Sequence, residues 1–455
     1  MRGRTHSFAY LLALLASLVA ASQPVAAQSI LRDAETEQLL KDMLTPLVEA
    51  SELEVGNVEV VLINDGSINA FVAGGQVIYV HSGLIEAADS ANEVQGVLAH
   101  ELGHITAGHA VRFDERTKAA NGISILSLLL GIGAALAGGG EAAMGVLAAG
   151  QQVAMSSFLS FNRDQEAGTD LAGARYLAGA GISGKGMISF FEKLRGNEIR
   201  SGYSQSDEAA YARTHPLTGD RIQVLRGLLD KNAGWDTVPD PAIQERFARA
   251  KAKLSGYLSE PSRTLTAFPL SDNSVRAHYA RAYAYHKDAR VDLALAETDA
   301  LLAAEPDNPW FLELKGQVLL ESGRTVDALV PLRRATDLTL SQPLIAGLLG
   351  HALIATENEA NFAEAENVLR ASVQKDRYNP FAWYQLGVVY AARGDLPRAR
   401  LASAEQQVMN RLFPEALRSA AAAEAGLPYG SADWIRAQDV ALEARGELER
   451  MKKKR

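Results

Sequence analysis

The spacing of apolar positions changes several times along the chain. Phe8 to Ala21 is an uncharged run of fourteen residues rich in Leu and Ala. Near residue 60 the apolar positions alternate, at Val58, Val60 and Leu62, and Asp65-Gly66 marks a turn. Asn69 to Ala73 and Gln76 to Val80 read as two short strands joined at Gly74-Gly75, a hairpin pattern. From Ser90 the period becomes helical. Val94, Val97, Leu98 and Ile105 form one stripe, and Ser90 with Glu93 makes a capping box at its start. Ala119 to Gly140 and Ala142 to Asn162 carry no charge, and only Glu141 separates them.

After residue 270 the pattern repeats. Pro309, Pro343 and Pro380 are each followed seven positions later by a glycine, Gly316, Gly350 and Gly387. Ala328, Ala365 and Ala399 follow in each unit, and three extra residues near Glu357–Ala360 lengthen the middle one. Trp383, Leu386, Gly387 and Tyr390 fit the W-x2-L-G-x2-Y signature of the tetratricopeptide repeat. Ala282, Tyr285, Ala294 and Pro306 extend the frame one unit upstream. Residues 273–445 are therefore expected to form an α-solenoid with a concave peptide-binding surface, contacting mainly itself. Residues 259–272, with Pro261 and Pro269, read as a linker, and 446–455 as a frayed basic tail.

Composition narrows the classes. The chain has 455 residues, 47% apolar and 22% charged, with a net charge of −9. That size suits two to four domains, and an acidic balance argues against a nucleic-acid footprint. The absence of cysteine removes disulfides, thiolate metal sites and cysteine nucleophiles. Arg2 and Arg4 before the Phe8–Ala21 run, with small residues at Val25-Ala26-Ala27, form a signal-peptide pattern over 1–27. The mature protein is then expected outside the cytoplasm.

His100-Glu101-Leu102-Gly103-His104 reads H-E-x-x-H. On a helix, His100 and His104 share one face and suit a Zn²⁺ ion, while Glu101 is placed to act as general base on water. Position 110 is alanine, and His109 at i+5 points off the ligand face of a continuing helix. Elimination leaves an acid or a distant histidine as third ligand. Glu166 and Asp170 are i, i+4 in a helical acidic segment. We assign Glu166 as ligand and Asp170 as the carboxylate orienting a ligating histidine. The expected fold is mainly α: a zincin-type metalloprotease domain over 28–258, of helices with a small β-hairpin or sheet, followed by the solenoid. In a zincin the strand Asn69-Ala70-Phe71 could pair with an extended substrate backbone, or be purely structural.

These residues resemble the HtpX and CAAX-protease class of gluzincin metallopeptidases, in particular its BepA-like periplasmic branch, which joins such a protease to tetratricopeptide repeats. The likeness is carried by His100-Glu-Leu-Gly-His104, Glu166 to Asp170, Asn69-Ala-Phe71, Gly74-Gly75, Tyr79, Gly83-Leu84, His215-Pro216-Leu217 and Arg221-Ile222. It implies one zinc ion held by His100, His104 and Glu166, with Glu101 catalytic. It also implies that His215 can take the open zinc position and hold the enzyme inactive; the residues alone leave a loop histidine open. The implied role is quality control of outer-membrane proteins in the periplasm, with unfolded or misassembled barrel proteins as substrates and the β-barrel assembly machinery as partner. Two rivals remain: a non-proteolytic chaperone or scaffold with a latent site, and a membrane-embedded protease. Residues 119–162 cannot span once, because that would separate His104 from Glu166 across the bilayer. A mobile helical hairpin touching membrane or substrate is the preferred reading, with two spans as the alternative.

Overall fold

The computed structural model describes residues 29–73, 75–109, 164–201, 215, 218–232 and 234–453. The signal-peptide pattern at 1–27 and the apolar stretch 119–162 lie outside these residues. No helix among the described residues is long and apolar enough to cross a membrane.

The sheet is small and sits at the front of the chain. Strands β1 (Ser29–Ile30), β2 (Glu59–Asn64), β3 (Ala70–Ala73) and β4 (Val77–His81) lie in the order β1-β2-β4-β3. The hairpin expected at Gly74-Gly75 is the antiparallel β3–β4 pair, with Phe71 opposite Tyr79. β2 runs parallel to β4, so β3 is an edge strand. α3 (Ala91–Thr106), which follows α1 (Ala34–Ala50) and α2 (Ser82–Ala87) in the chain, packs against β3. The Ser90 hydroxyl caps α3 by accepting from the Glu93 N–H at 3.2 Å. The reciprocal half of the box shifts by one residue, because the Glu93 carboxylate accepts from the Asp89 N–H and is also held by Lys193.

Helix α4 (164–179) and α5 (Lys185–Ser201) enclose α3, and α6 (Gly219–Leu229) with α7 (Pro241–Leu258) completes the layer. The core is continuous across them: Leu40, Met43, Leu47, Ile78, Leu98, Phe190, Phe191 and Phe247 are all buried in one cluster.

The proline-to-glycine frame becomes helical pairs. Pro309, Pro343 and Pro380 each occupy the first turn of a helix, where a missing N–H costs nothing. The pairs are α9 (Val275–Lys287) with α10 (Val291–Ala304), α11 (Pro309–Glu321) with α12 (Thr325–Leu338), α13 (Pro343–Ala355) with α14 (Phe362–Lys375), and α15 (Pro380–Ala392) with α16 (Leu396–Met409). Gly316 and Gly350 face Leu332 and Leu369 of the paired helices. The extra residues of the middle repeat form a short 3-10 turn, Glu359–Asn361.

Two boundaries differ from expectation, those of the linker and of the basic tail. The 259–272 segment holds a helix, α8 (Pro261–Ala267), with Thr264 fully buried. Pro261 breaks nothing there, since it starts that helix. A further pair, α17 (Phe413–Gly426) and α18 (Ala432–Lys453), follows the fourth repeat, and the basic tail continues α18 through Lys453. Leu448 explains this: it packs on the Phe413, Ala416 and Ala444 cluster.

The solenoid contacts mainly itself, as expected, but it also packs on the peptidase domain. The first turn of α1 packs into it, with Ala34 buried against Leu312, Ala335 and Ile345. Around that contact lies an ionic cluster. Glu35 accepts from Arg249 Nε at 2.7 Å and from the Tyr279 hydroxyl at 2.8 Å, and Lys253 Nζ lies 2.5 Å from Asp33. Arg32 reaches Asp376 at 2.8 Å. Burial would lower the Lys253 ammonium, but Asp33, Tyr279, Tyr283 and Glu35 together outweigh it and the group stays well above its ordinary value. Glu313, in the same cavity of about 180 Å³, has one buried oxygen without a hydrogen-bond partner. Burial pushes its carboxyl up to about 7, against 4.5 in the unfolded chain. A raised acid binds its proton more tightly when folded, so stability falls as pH rises from about 4.5 through 7. Glu313→Gln should therefore raise the thermal midpoint at pH 8 and leave it nearly unchanged at pH 4, which thermal unfolding at the two pH values checks.

Candidate metal centre

α3 carries the centre. His100 and His104 project from one face, and their Nε2 atoms are 3.3 Å apart. α4 lies close enough to bring its acids onto the same point. Gly103 makes that approach possible: a Cβ there would sit 2.9 Å from the Thr169 carbonyl oxygen of α4. Glu166 Oε2 is 3.4 Å from His100 Nε2, and Glu166 Oε1 is 3.5 Å from His104 Nε2. His215 enters ahead of α6, with Nδ1 2.9 Å from Glu166 Oε1 and Nε2 3.6 Å from Glu101 Oε1. His100, His104, Glu166 and His215 each offer a donor atom, all within 4.8 Å of one another and all buried.

Glu101 is fully buried beside this set, and neither carboxylate oxygen has a hydrogen-bond partner. A buried carboxylate without a partner is costly, so the arrangement suits a cation and a water beside it. Two imidazoles and a carboxylate at this spacing are donors that suit a divalent transition metal.

The surrounding contacts set the charges. His100 Nδ1 meets Asp170 Oδ1 at 3.0 Å. Burial alone would lower the His100 imidazole, but Asp170 and Glu166 outweigh it and raise it to about 9. Burial lowers His104, and support from Glu166 and Glu101 does not offset it, with His100 and His215 adding to the lowering. Burial would raise Glu166, yet His215, His100 and His104 hold it well below the usual carboxylate range. Asp170 is likewise lowered against its burial, first by Arg221 and then by His100.

Arg221 is a participant to which sequence reasoning gave no role. Its fork donates to both oxygens of Asp170, at 2.5 and 2.8 Å, and its third nitrogen lies 2.9 Å from Glu166 Oε2. The signal was its place in the first turn of α6, three residues after the Thr218 cap. His109 is a second. It is no member of the four-donor set, as expected, but its Nδ1 lies 2.9 Å from His104 Nδ1.

Residues 32–229 match the model of Peptidase family M48, a span that contains every residue of this cluster. The chain carries a peptidase family M48 domain. It is a metalloprotease, and the family implies a metal at the M48 His/Glu cluster. The Beta-barrel assembly-enhancing protease of Escherichia coli (strain K12) is 27% identical over 382 residues, covering 81% of this chain and 75% of that protein. Metalloprotease LoiP of the same organism is 31% identical over 164 residues, covering 35% and 58%. Among solved structures, MamA protein aligns at 20% identity with a TM-score of 0.31, over 39% of this chain and 94% of that one. The tetratricopeptide-repeat protein YrrB aligns at 22% identity, also at 0.31, over 38% and 90%.

Proposed function

We propose that the protein is a periplasmic zinc endopeptidase that acts in outer-membrane β-barrel assembly, cleaving misassembled barrel proteins recruited by its repeats. The observation that carries the chemistry is the buried four-donor set beside an unpartnered Glu101. The cellular role is supported by the similarity to the Beta-barrel assembly-enhancing protease and by the signal-peptide pattern.

His100, His104 and Glu166 would hold the zinc, and Asp170 would keep His100 in the tautomer that offers Nε2. A bound zinc ion supplies Lewis acidity, lowering the pKa of water and polarising the scissile carbonyl. Glu101 accepts a proton from the attacking water and returns it to the leaving amine. The edge strand β3, with Asn69, Ala70 and Phe71, aligns the substrate as an added strand. Its place as the last strand of the sheet among the described residues supports this. Substrate carried by the repeats reaches the metal only once His215 has withdrawn: in this reading His215 is a reversible fourth ligand, and its place in the buried donor set supports it.

The test is casein cleavage by the purified full chain. Cleavage should stop on adding a zinc chelator and return with zinc. His215→Ala should keep zinc and raise basal cleavage. A fall in cleavage to the Glu101→Gln level would make His215 catalytic or structural and end the switch idea.

A further inference from the structure

We propose that His109 is a positioning residue for the metal: it accepts the Nδ1 proton of His104 and so fixes the tautomer in which His104 offers Nε2. This rests on the zinc-peptidase reading above.

The geometry begins with the end of α3. Ala107 caps the helix, and Gly108 follows at φ 65°, in the left-handed region that suits glycine. The Gly108 N–H closes onto the Ile105 carbonyl at 2.9 Å. The left-handed Gly108 interrupts α3, so His109 does not continue its period round the helix face. His109 instead lies buried beside His104.

His104 has two ring nitrogens with different surroundings. Nε2 faces His100 and Glu166, while Nδ1 faces His109. A neutral imidazole has one proton and one lone pair. A lone pair on Nε2 requires the proton on Nδ1, and a ligating histidine almost always donates that second N–H to an acceptor. For His100 the acceptor is Asp170, itself held by Arg221. No carboxylate pairs with His104 Nδ1 among the described contacts, and its partner there is His109 Nδ1 at 2.9 Å.

Two proton arrangements are open to this pair. If His109 carries its proton on Nε2, its Nδ1 accepts from His104 and the metal finds a lone pair. If His109 carries it on Nδ1, it donates to His104 or to Thr169 Oγ1, which is 3.2 Å away. His104 would then be protonated on Nε2 and closed to a metal. Thr169 does not compete as a donor in the first arrangement, since its hydroxyl donates to the Gln165 carbonyl at 2.8 Å. Metal binding selects the first arrangement, and His109 makes it available.

The test compares the full-length wild type with His109→Ala and His109→Gln. Zinc Kd is measured by chelator competition, the thermal midpoint on zinc-free protein, and kcat and KM at saturating zinc. His109→Ala should weaken zinc binding about 10–100-fold. His109→Gln, whose amide oxygen can accept the same proton, should recover most of it. The zinc-free midpoint should hardly move, and kcat at saturating zinc should fall less than affinity. Unchanged affinity in His109→Ala overturns the proposal. So does an affinity loss that His109→Gln fails to recover and that tracks a lower zinc-free midpoint, which makes the role structural. A wild type that binds no zinc overturns the underlying peptidase reading instead.

Discussion

Glu101→Gln should keep zinc and lose peptidase activity by about 10²–10⁴-fold, the usual contribution of a positioned general base. The substitution is nearly isosteric. Glu101 is fully buried on α3, between the two histidines, and nothing in the protein hydrogen-bonds its oxygens, so the fold loses little. What disappears is the capacity to take a proton from water. Casein cleavage and zinc content measured on the same preparation check both halves. The result also separates the peptidase from a chaperone or scaffold with a latent site, for which Glu101→Gln would rescue a knockout fully. Equal loss of zinc in Glu101→Gln and His100→Ala would show that Glu101 belongs among the ligands.

Glu35→Ala should destabilise the whole chain by about 3–5 kcal/mol, the range for removing one partner of a buried ionic group. Glu35 accepts from Arg249 and Tyr279, and Lys253 lies 3.6 Å from it. Without it, two buried cations on α7 keep only Asp33 and a 3.6 Å approach to Glu305. Both are buried, Arg249 over the Phe311 ring and Lys253 over Tyr279, so neither charge regains bulk hydration without moving. The cost falls at the junction of the peptidase domain and the solenoid, so both should unfold together at lower urea. Glu35→Gln, which keeps an acceptor, should cost less. An unchanged unfolding midpoint for Glu35→Ala would mean that the junction contributes little. The same contacts imply that a chain cut at residue 258 exposes this cluster and does not stay folded.

Legibility from the sequence followed locality. The H-E-x-x-H helix was readable because its stripe and its Ser90 cap lie within a few turns. Glu166 and Asp170 were readable because i, i+4 spacing puts them on one face. The repeat frame was readable because Pro and Gly recur at fixed offsets. The contact of His109 with His104 was not legible because a helix continued from Thr106 to His109 rotates it away, whereas the left-handed Gly108 interrupts the helix. Pro261 was read as part of a linker although it opens a helix, and nothing local distinguishes the two uses. The junction was not legible at all. Glu35, Lys253 and Tyr279 lie more than two hundred residues apart at the extremes, and each alone looks like an ordinary surface residue.

The most direct test of the proposed zinc centre is zinc per chain, measured by mass spectrometry on purified wild type, His100→Ala and Glu166→Ala. The expected result is about one zinc in the wild type and almost none in either variant, as for a site with three protein ligands. A wild type without zinc, or variants that keep the wild-type content, would contradict it.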